Sequence, residues 1–82
     1  MRIFILIQAS DTGDVRRLAE ELGRIPGMRR VDVVGGGYDI VAELDDRSLG
    51  SRAIVLRSEI QRLEGVHRFL PLRADPRPDG IP

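Results

Sequence analysis

Arg2-Ile3-Phe4-Ile5-Leu6-Ile7-Gln8 is the stretch on which the fold turns. Its five central residues are all large and apolar, so both faces of an extended strand are greasy: Ile3, Ile5 and Ile7 on one, Phe4 and Leu6 on the other. A strand with one wet face alternates apolar and polar residues, whereas a doubly apolar strand lies inside its sheet. Strand 2–8 is therefore expected at the centre. The run is shorter than the roughly 7–15 residues of a signal h-region and the about 20 of a membrane span. That points to a cytoplasmic chain without a membrane segment.

Outward from this strand, Val15, Leu18, Ala19, Leu22 and Ile25 recur on one helical face. Asp11 or Thr12 is the candidate N-cap, Asp14 adds charge favourable to the helix dipole, and Pro26-Gly27 ends the helix. Met28 to Val34 reads as a second strand, with Val31 and Val33 on one face and Arg30 and Asp32 on the other. Gly35-Gly36-Gly37 turns the chain into a third strand, Tyr38 to Leu44, and the short link makes the pair an antiparallel hairpin. Asp45-Asp46-Arg47-Ser48 breaks the pattern before a second helix over 48–63, striped by Leu49, Ala53, Leu56, Ile60 and Leu63. Val66 to Leu72 is the fourth strand, and Pro71, lacking an N–H, confines it to a sheet edge. The tail, 74–82, holds three prolines and a glycine and is expected to be disordered, leaving 1–73 as one folded domain.

The two halves repeat at an offset of 38: Leu18, Leu22, Ile25, Gly27 and Met28 correspond to Leu56, Ile60, Leu63, Gly65 and Val66. Each half reads strand–helix–strand, a doubled split βαβ unit. With right-handed crossovers this gives an α+β, ferredoxin-like βαββαβ fold, a four-stranded antiparallel sheet in order 4-1-3-2 with two helices on one face. Two helices cover only that face. At least two or three large side chains of the first strand, joined by Val41 or Ile40 and by one of Phe69 and Leu70, would then leave an apolar patch on the other, the usual sign of an interface. At about 25 cal/mol per Å², covering it on two subunits contributes several kcal/mol before association costs. The tail is a poor alternative cover, because Ile81 is its one sizeable apolar group. A homodimer through the open face is the expectation.

The composition removes several functions. The 82 residues contain no cysteine, excluding disulfides, thiolate metal sites and cysteine nucleophiles. Thirteen basic residues balance thirteen acidic ones, which leaves no basic footprint for nucleic acid. His67 is the only histidine, without a partner at metal-ligand or acid–base spacing. No serine sits in a nucleophile elbow. Neither an enzyme site nor a cofactor is indicated.

The glycine run opens a strand rather than a helix, so as an anion cradle it lacks a helix dipole; its simpler reading is a turn needing positive φ. Asp39, directly after it, places a carboxylate beside exposed backbone N–H groups, an arrangement able to hold the two ends of a zwitterion. The plain alternative is a solvated turn residue. Tyr38 reads equally as pocket wall or core filler.

In combination, Ile25-Pro26-Gly27-Met28, Gly36-Gly37-Tyr38-Asp39-Ile40 and Leu63-Glu64-Gly65-Val66 resemble the effector-binding (RAM) domain of the Lrp/AsnC regulators over residues 1 to about 73. The resemblance implies sheet-face dimers, higher rings such as octamers, and a small amino-acid effector bound between dimers near the hairpin. Carried over, Gly36, Gly37, Tyr38 and Asp39 would line that pocket. The chain begins at the first strand, where the family's regulators usually carry a helix-turn-helix, so the likeness is to the stand-alone form, which does not bind DNA itself. The family often has a threonine-rich fourth strand and a threonine at the hairpin; here these are Arg68-Phe69-Leu70-Pro71 and Gly35. The leading expectation is an amino-acid-sensing oligomerisation module acting on transcriptional regulators. The runner-up is a structural module that co-assembles with full-length Lrp/AsnC regulators without an effector, and behind it stands a small dimeric enzyme using His67 or Tyr38.

Overall fold

The computed structural model describes residues 2–11, 13–45 and 52–74, with backbone alone for 52–54. In chain order the elements are β1 (Arg2–Ala9), α1 (Val15–Gly23), β2 (Met28–Val33), β3 (Ile40–Asp45), α2 (Arg52–Arg62) and β4 (Val66–Arg73). The sheet order is β2-β3-β1-β4, every neighbouring pair antiparallel. This is the expected ferredoxin-like fold, with the doubly apolar β1 inside and the proline-bearing β4 at an edge.

Partner residues across an antiparallel ladder share a face, which fixes what each side of the sheet presents. Ile5 and Ile7 of β1 stand beside Ala42 and Ile40 of β3. Together with Leu44, and with Leu18 and Leu22 of α1 and Leu56 and Ile60 of α2, they make the buried core. Ile5, Ile7, Leu22, Ile40, Leu44 and Ile60 are its largest wholly buried side chains. No polar or charged residue is buried among the described residues.

The internal repeat is visible in backbone detail. Ile25 N–H donates to Leu22 C=O (3.2 Å) and Leu63 N–H to Ile60 C=O (3.1 Å), and Met28 and Val66 close the next turn onto Ile25 and Leu63. Gly27 and Gly65 both carry positive φ, +96° and +98°, which an L side chain resists. Just beyond, each half inserts a β-bulge. Met28 and Arg30 face consecutive residues Leu44 and Glu43, and Val66 and Arg68 face Ala9 and Gln8, so Arg29 and His67, 38 apart, are the two bulged residues.

Several boundaries differ from the sequence reading. The N-cap of α1 is Asp14, whose Oδ1 accepts from Arg17 N–H (3.2 Å), and not Asp11. A tight turn in which Gly13 N–H donates to Ser10 C=O (2.9 Å) uses up the preceding residues, leaving Asp14 as the last extended position. Thr12, the other candidate cap, lies outside the described residues, as do Asp46–Ser51 and 75–82, with the expected start of the second helix and nearly all of the tail. α1 stops at Gly23, before Ile25, and β2 stops at Val33. β3 begins at Ile40 rather than Tyr38 and continues to Asp45, while β4 extends to Arg73.

Candidate functional site

Two features meet at one end of the sheet: the helix-free face and the β2–β3 hairpin. On the face, Phe4 stands beside Leu72 and Glu43, and Leu6 beside Leu70 and Val41. Phe69 and Ile40, also offered for this patch by the sequence, point instead to the helices; Phe69 packs against the core and Ile40 is buried in it. Leu70 and Leu72 remain 42% and 44% exposed, an unusual state for neighbouring leucines on the same face of a strand. Charges frame the apolar strip. The Arg2 guanidinium lies 5.3 Å from the centre of the Phe4 ring and 3.9 Å from Glu43 Oε2. At the β2 side, Arg30 Nε meets Asp32 Oδ2 at 2.8 Å. An apolar centre inside a charged rim is the anatomy of a protein interface.

The hairpin carries the four residues proposed from the sequence. Gly36 and Gly37 are exposed at its tip, and of the three consecutive glycines Gly36 alone has positive φ, +99°. Tyr38 and Asp39 are half-buried. Asp39 is not simply a solvated turn residue. Its Oδ2 accepts from Ala9 N–H (2.8 Å), its own N–H donates to Ile7 C=O (2.9 Å), and its C=O accepts from Val34 N–H (2.8 Å). It thus ties the hairpin to the end of β1 where the β1–β4 register shifts. Its Oδ1 has no partner among the described residues. The carboxylate is half committed to structure and half available.

Ala9 is the residue that sequence reasoning missed. Its contribution is a backbone N–H, thirty positions from Asp39, and no residue pattern signals it. A separate cleft of about 170 Å³ lies between the start of α1 and the α2–β4 turn, lined by Ser10, Gly13, Asp14, Arg17, Glu21 and Gly65 among others. None of the four hairpin residues lines it. Asp14 caps Arg17 N–H (3.2 Å), and Arg17 Nε pairs with Glu21 at 3.3 Å, so the guanidinium in the cleft lining is already engaged. His67 is exposed at the β4 bulge, and no group of His, Asp and Glu among the described residues is placed to hold a metal.

Comparison with known proteins decides the family. A crystal structure of a Thermus thermophilus protein shares 33% identity, covering 93% of this chain and 98% of that one, with a TM-score of 0.74. Escherichia coli AsnC aligns over 94% of this chain and 52% of its own length at 21% identity, with a TM-score of 0.77. The chain belongs to the Lrp/AsnC family. A further Lrp/AsnC-type fold match is a transcriptional regulator of Neisseria meningitidis in complex with L-Met, at 15% identity and TM-score 0.65, over 93% of this chain and 51% of that one. No family sequence model and no curated protein matches. As an Lrp/AsnC domain the chain is related to regulators and not to enzymes, so the catalytic reading of His67 and Tyr38 falls away. No helix among the described residues is long and apolar enough to cross a membrane.

Proposed function

We propose that this Lrp/AsnC domain is an effector-responsive oligomerisation module. Two copies close their helix-free faces on each other, and a small amino acid binds at the hairpin end of the sheet, beside Gly36, Gly37, Tyr38 and Asp39. The observation that carries the assembly half is the strip of Phe4, Leu6, Val41, Leu70 and Leu72 on the side without helices. Burying a leucine fully is worth about 1.5–3 kcal/mol, so two half-exposed leucines per copy supply a useful part of a dimer's affinity. The effector half is supported by Asp39 Oδ1, a carboxylate oxygen without a partner among the described residues and of the chemistry that accepts an ammonium group, and by the L-Met complex of the Neisseria regulator. Binding would act in the cytoplasm, on full-length Lrp/AsnC regulators or on rings of this chain, octamers included; the balanced charge argues against direct contact with nucleic acid.

Thermal melts with each of the twenty amino acids test the sensing half. Linkage gives about 2.7 kcal/mol of stabilisation when a ligand is at a hundred times its Kd. No shift with any of them at millimolar concentration removes the effector reading. A structural module that co-assembles with helix-turn-helix relatives then remains. That second reading is favoured by Arg68-Phe69-Leu70-Pro71, which offers no hydroxyl to a ligand, and by the Ala9 hold on Asp39. Co-purification with such a relative, unchanged by amino acids, is its signature.

A further inference from the structure

The two edges of the sheet are not alike. Val34 N–H donates to Asp39 C=O, one step outside the partner pair Val33–Ile40. In an antiparallel ladder this makes Val33–Ile40 a non-hydrogen-bonded pair, so the N–H and C=O of Val33 point away from β3, and those of Val31 do the same. The outer side of β2 thus offers the free donors and acceptors of Val31 and Val33, next to the bulge at Arg29. At the opposite edge, Ala74 N–H donates to Arg2 C=O just beyond the pair Ile3–Arg73, so Arg73, Pro71 and Phe69 are the outward residues of β4. Pro71 has no N–H to offer, and that edge is blunted at its middle.

We propose that β2 pairs with β2 of a second copy, antiparallel, about a two-fold axis through Val31. The register follows from the residues. Outward groups must meet outward groups, so the axis passes through a residue of the strand. An axis at Arg30 or at Asp32 sets a like charge directly against itself, which destabilises a cross-strand pair. An axis at Val33 leaves both charges facing apolar or turn residues. An axis at Val31 sets Arg30 opposite Asp32 of the second copy, twice, with Val31 exchanging both its backbone bonds with its own counterpart. The Arg30–Asp32 pair already formed at 2.8 Å within one strand then becomes one half of a four-charge cluster. Val33, 58% exposed although it points to the helix side, comes to lie opposite Arg29 of the second copy. This interface uses the strand edge and not the sheet face, but Arg30 and Asp32 border both, so charge variants are read in the Leu70→Glu background. The two interfaces together, each with its own two-fold, build even-numbered rings or filaments of continuous sheets.

Sedimentation velocity on the full chain separates the two interfaces. Val33→Pro deletes an outward N–H at both ends of the paired stretch while leaving the core untouched, and it should reduce the wild-type assembly to the sheet-face dimer, at least about a twofold drop in mass. Leu70→Glu breaks the sheet face alone. In that background a dimer should persist, and adding Val33→Pro should reduce it to monomer. In the same Leu70→Glu background, Arg30→Asp and Asp32→Arg should each lose the edge pairing when studied alone and regain it when mixed one to one, because an all-acidic edge then meets an all-basic one. The proposal is overturned if Val33→Pro keeps the wild-type mass, if Leu70→Glu alone is already monomeric, or if the mixed charge variants stay apart. A Leu70→Glu chain with unchanged mass would instead count against the sheet-face reading and leave the edge standing.

Discussion

Replacing Asp39 separates its two roles. Its Oδ2 accepts from Ala9 N–H at 2.8 Å, in a half-buried position where water competes only in part. Asp39→Ala removes the acceptor and leaves a backbone donor unpaired. A hydrogen bond to a charged group contributes about 1.5–3 kcal/mol, and stranding a buried partner costs about 1–3 kcal/mol. Partial exposure places this case at the lower end, about 1–2 kcal/mol. For a domain of this size each kcal/mol moves Tm by roughly 4–8 °C. Asp39→Asn keeps an oxygen acceptor and drops the charge, so it should cost less than half as much. If the free Oδ1 holds an effector's ammonium group, however, both variants should lose any amino-acid stabilisation seen in the parent. Urea and thermal unfolding by circular dichroism, with and without the effector, reads all four numbers. Equal stability of parent and Asp39→Ala would refute the Ala9 tie. Asp39→Asn with an undiminished ligand response would refute the ammonium role while leaving the tie intact.

Other changes probe the frame of the site. Ile60→Ala empties a wholly buried position and should cost about 2–5 kcal/mol in denaturant unfolding. Gly65→Ala meets no atom closer than the Gly13 Cα at 3.8 Å, so its cost of about 1–2 kcal/mol comes from the +98° φ alone and should appear as a lower Tm without a change of mass. Gly23→Ala, at the open last position of α1, should instead stabilise by about 0.5–1 kcal/mol. Arg2→Ala removes the contact over Phe4 and the long ion pair to Glu43, in which the Arg2 side chain is 59% exposed, and should alter chain stability by under about 1 kcal/mol while weakening self-association measured by dilution.

What could be read from the sequence was what short-range physics controls. The doubly apolar Ile3–Ile7 run located β1 inside the sheet, Pro71 located β4 at an edge, and the offset of 38 foretold matched turns that close on Gly27 and Gly65. Where two residues competed for a local role, the pattern was not enough. Asp11, Thr12 and Asp14 are all good N-caps, and the Ser10–Gly13 turn chose Asp14. Phe69 and Leu70 were interchangeable on paper because a bulge at His67 shifts the pairing against Ala9, and bulges carry no marker residue here. The Asp39–Ala9 bond joins residues thirty apart through a backbone group, which only the folded register reveals. Of the proposed hairpin set, the structure gives Asp39 a defined place and leaves Gly36 and Gly37 as open backbone at the tip.

Self-association through the helix-free face is the claim on which the proposed function stands. Light scattering on the purified chain at tens of micromolar, beside Leu70→Glu as control, tests it most directly. The parent should be at least a dimer and the variant a smaller species. A monomeric parent, with Leu70 and Leu72 left in water, would contradict it.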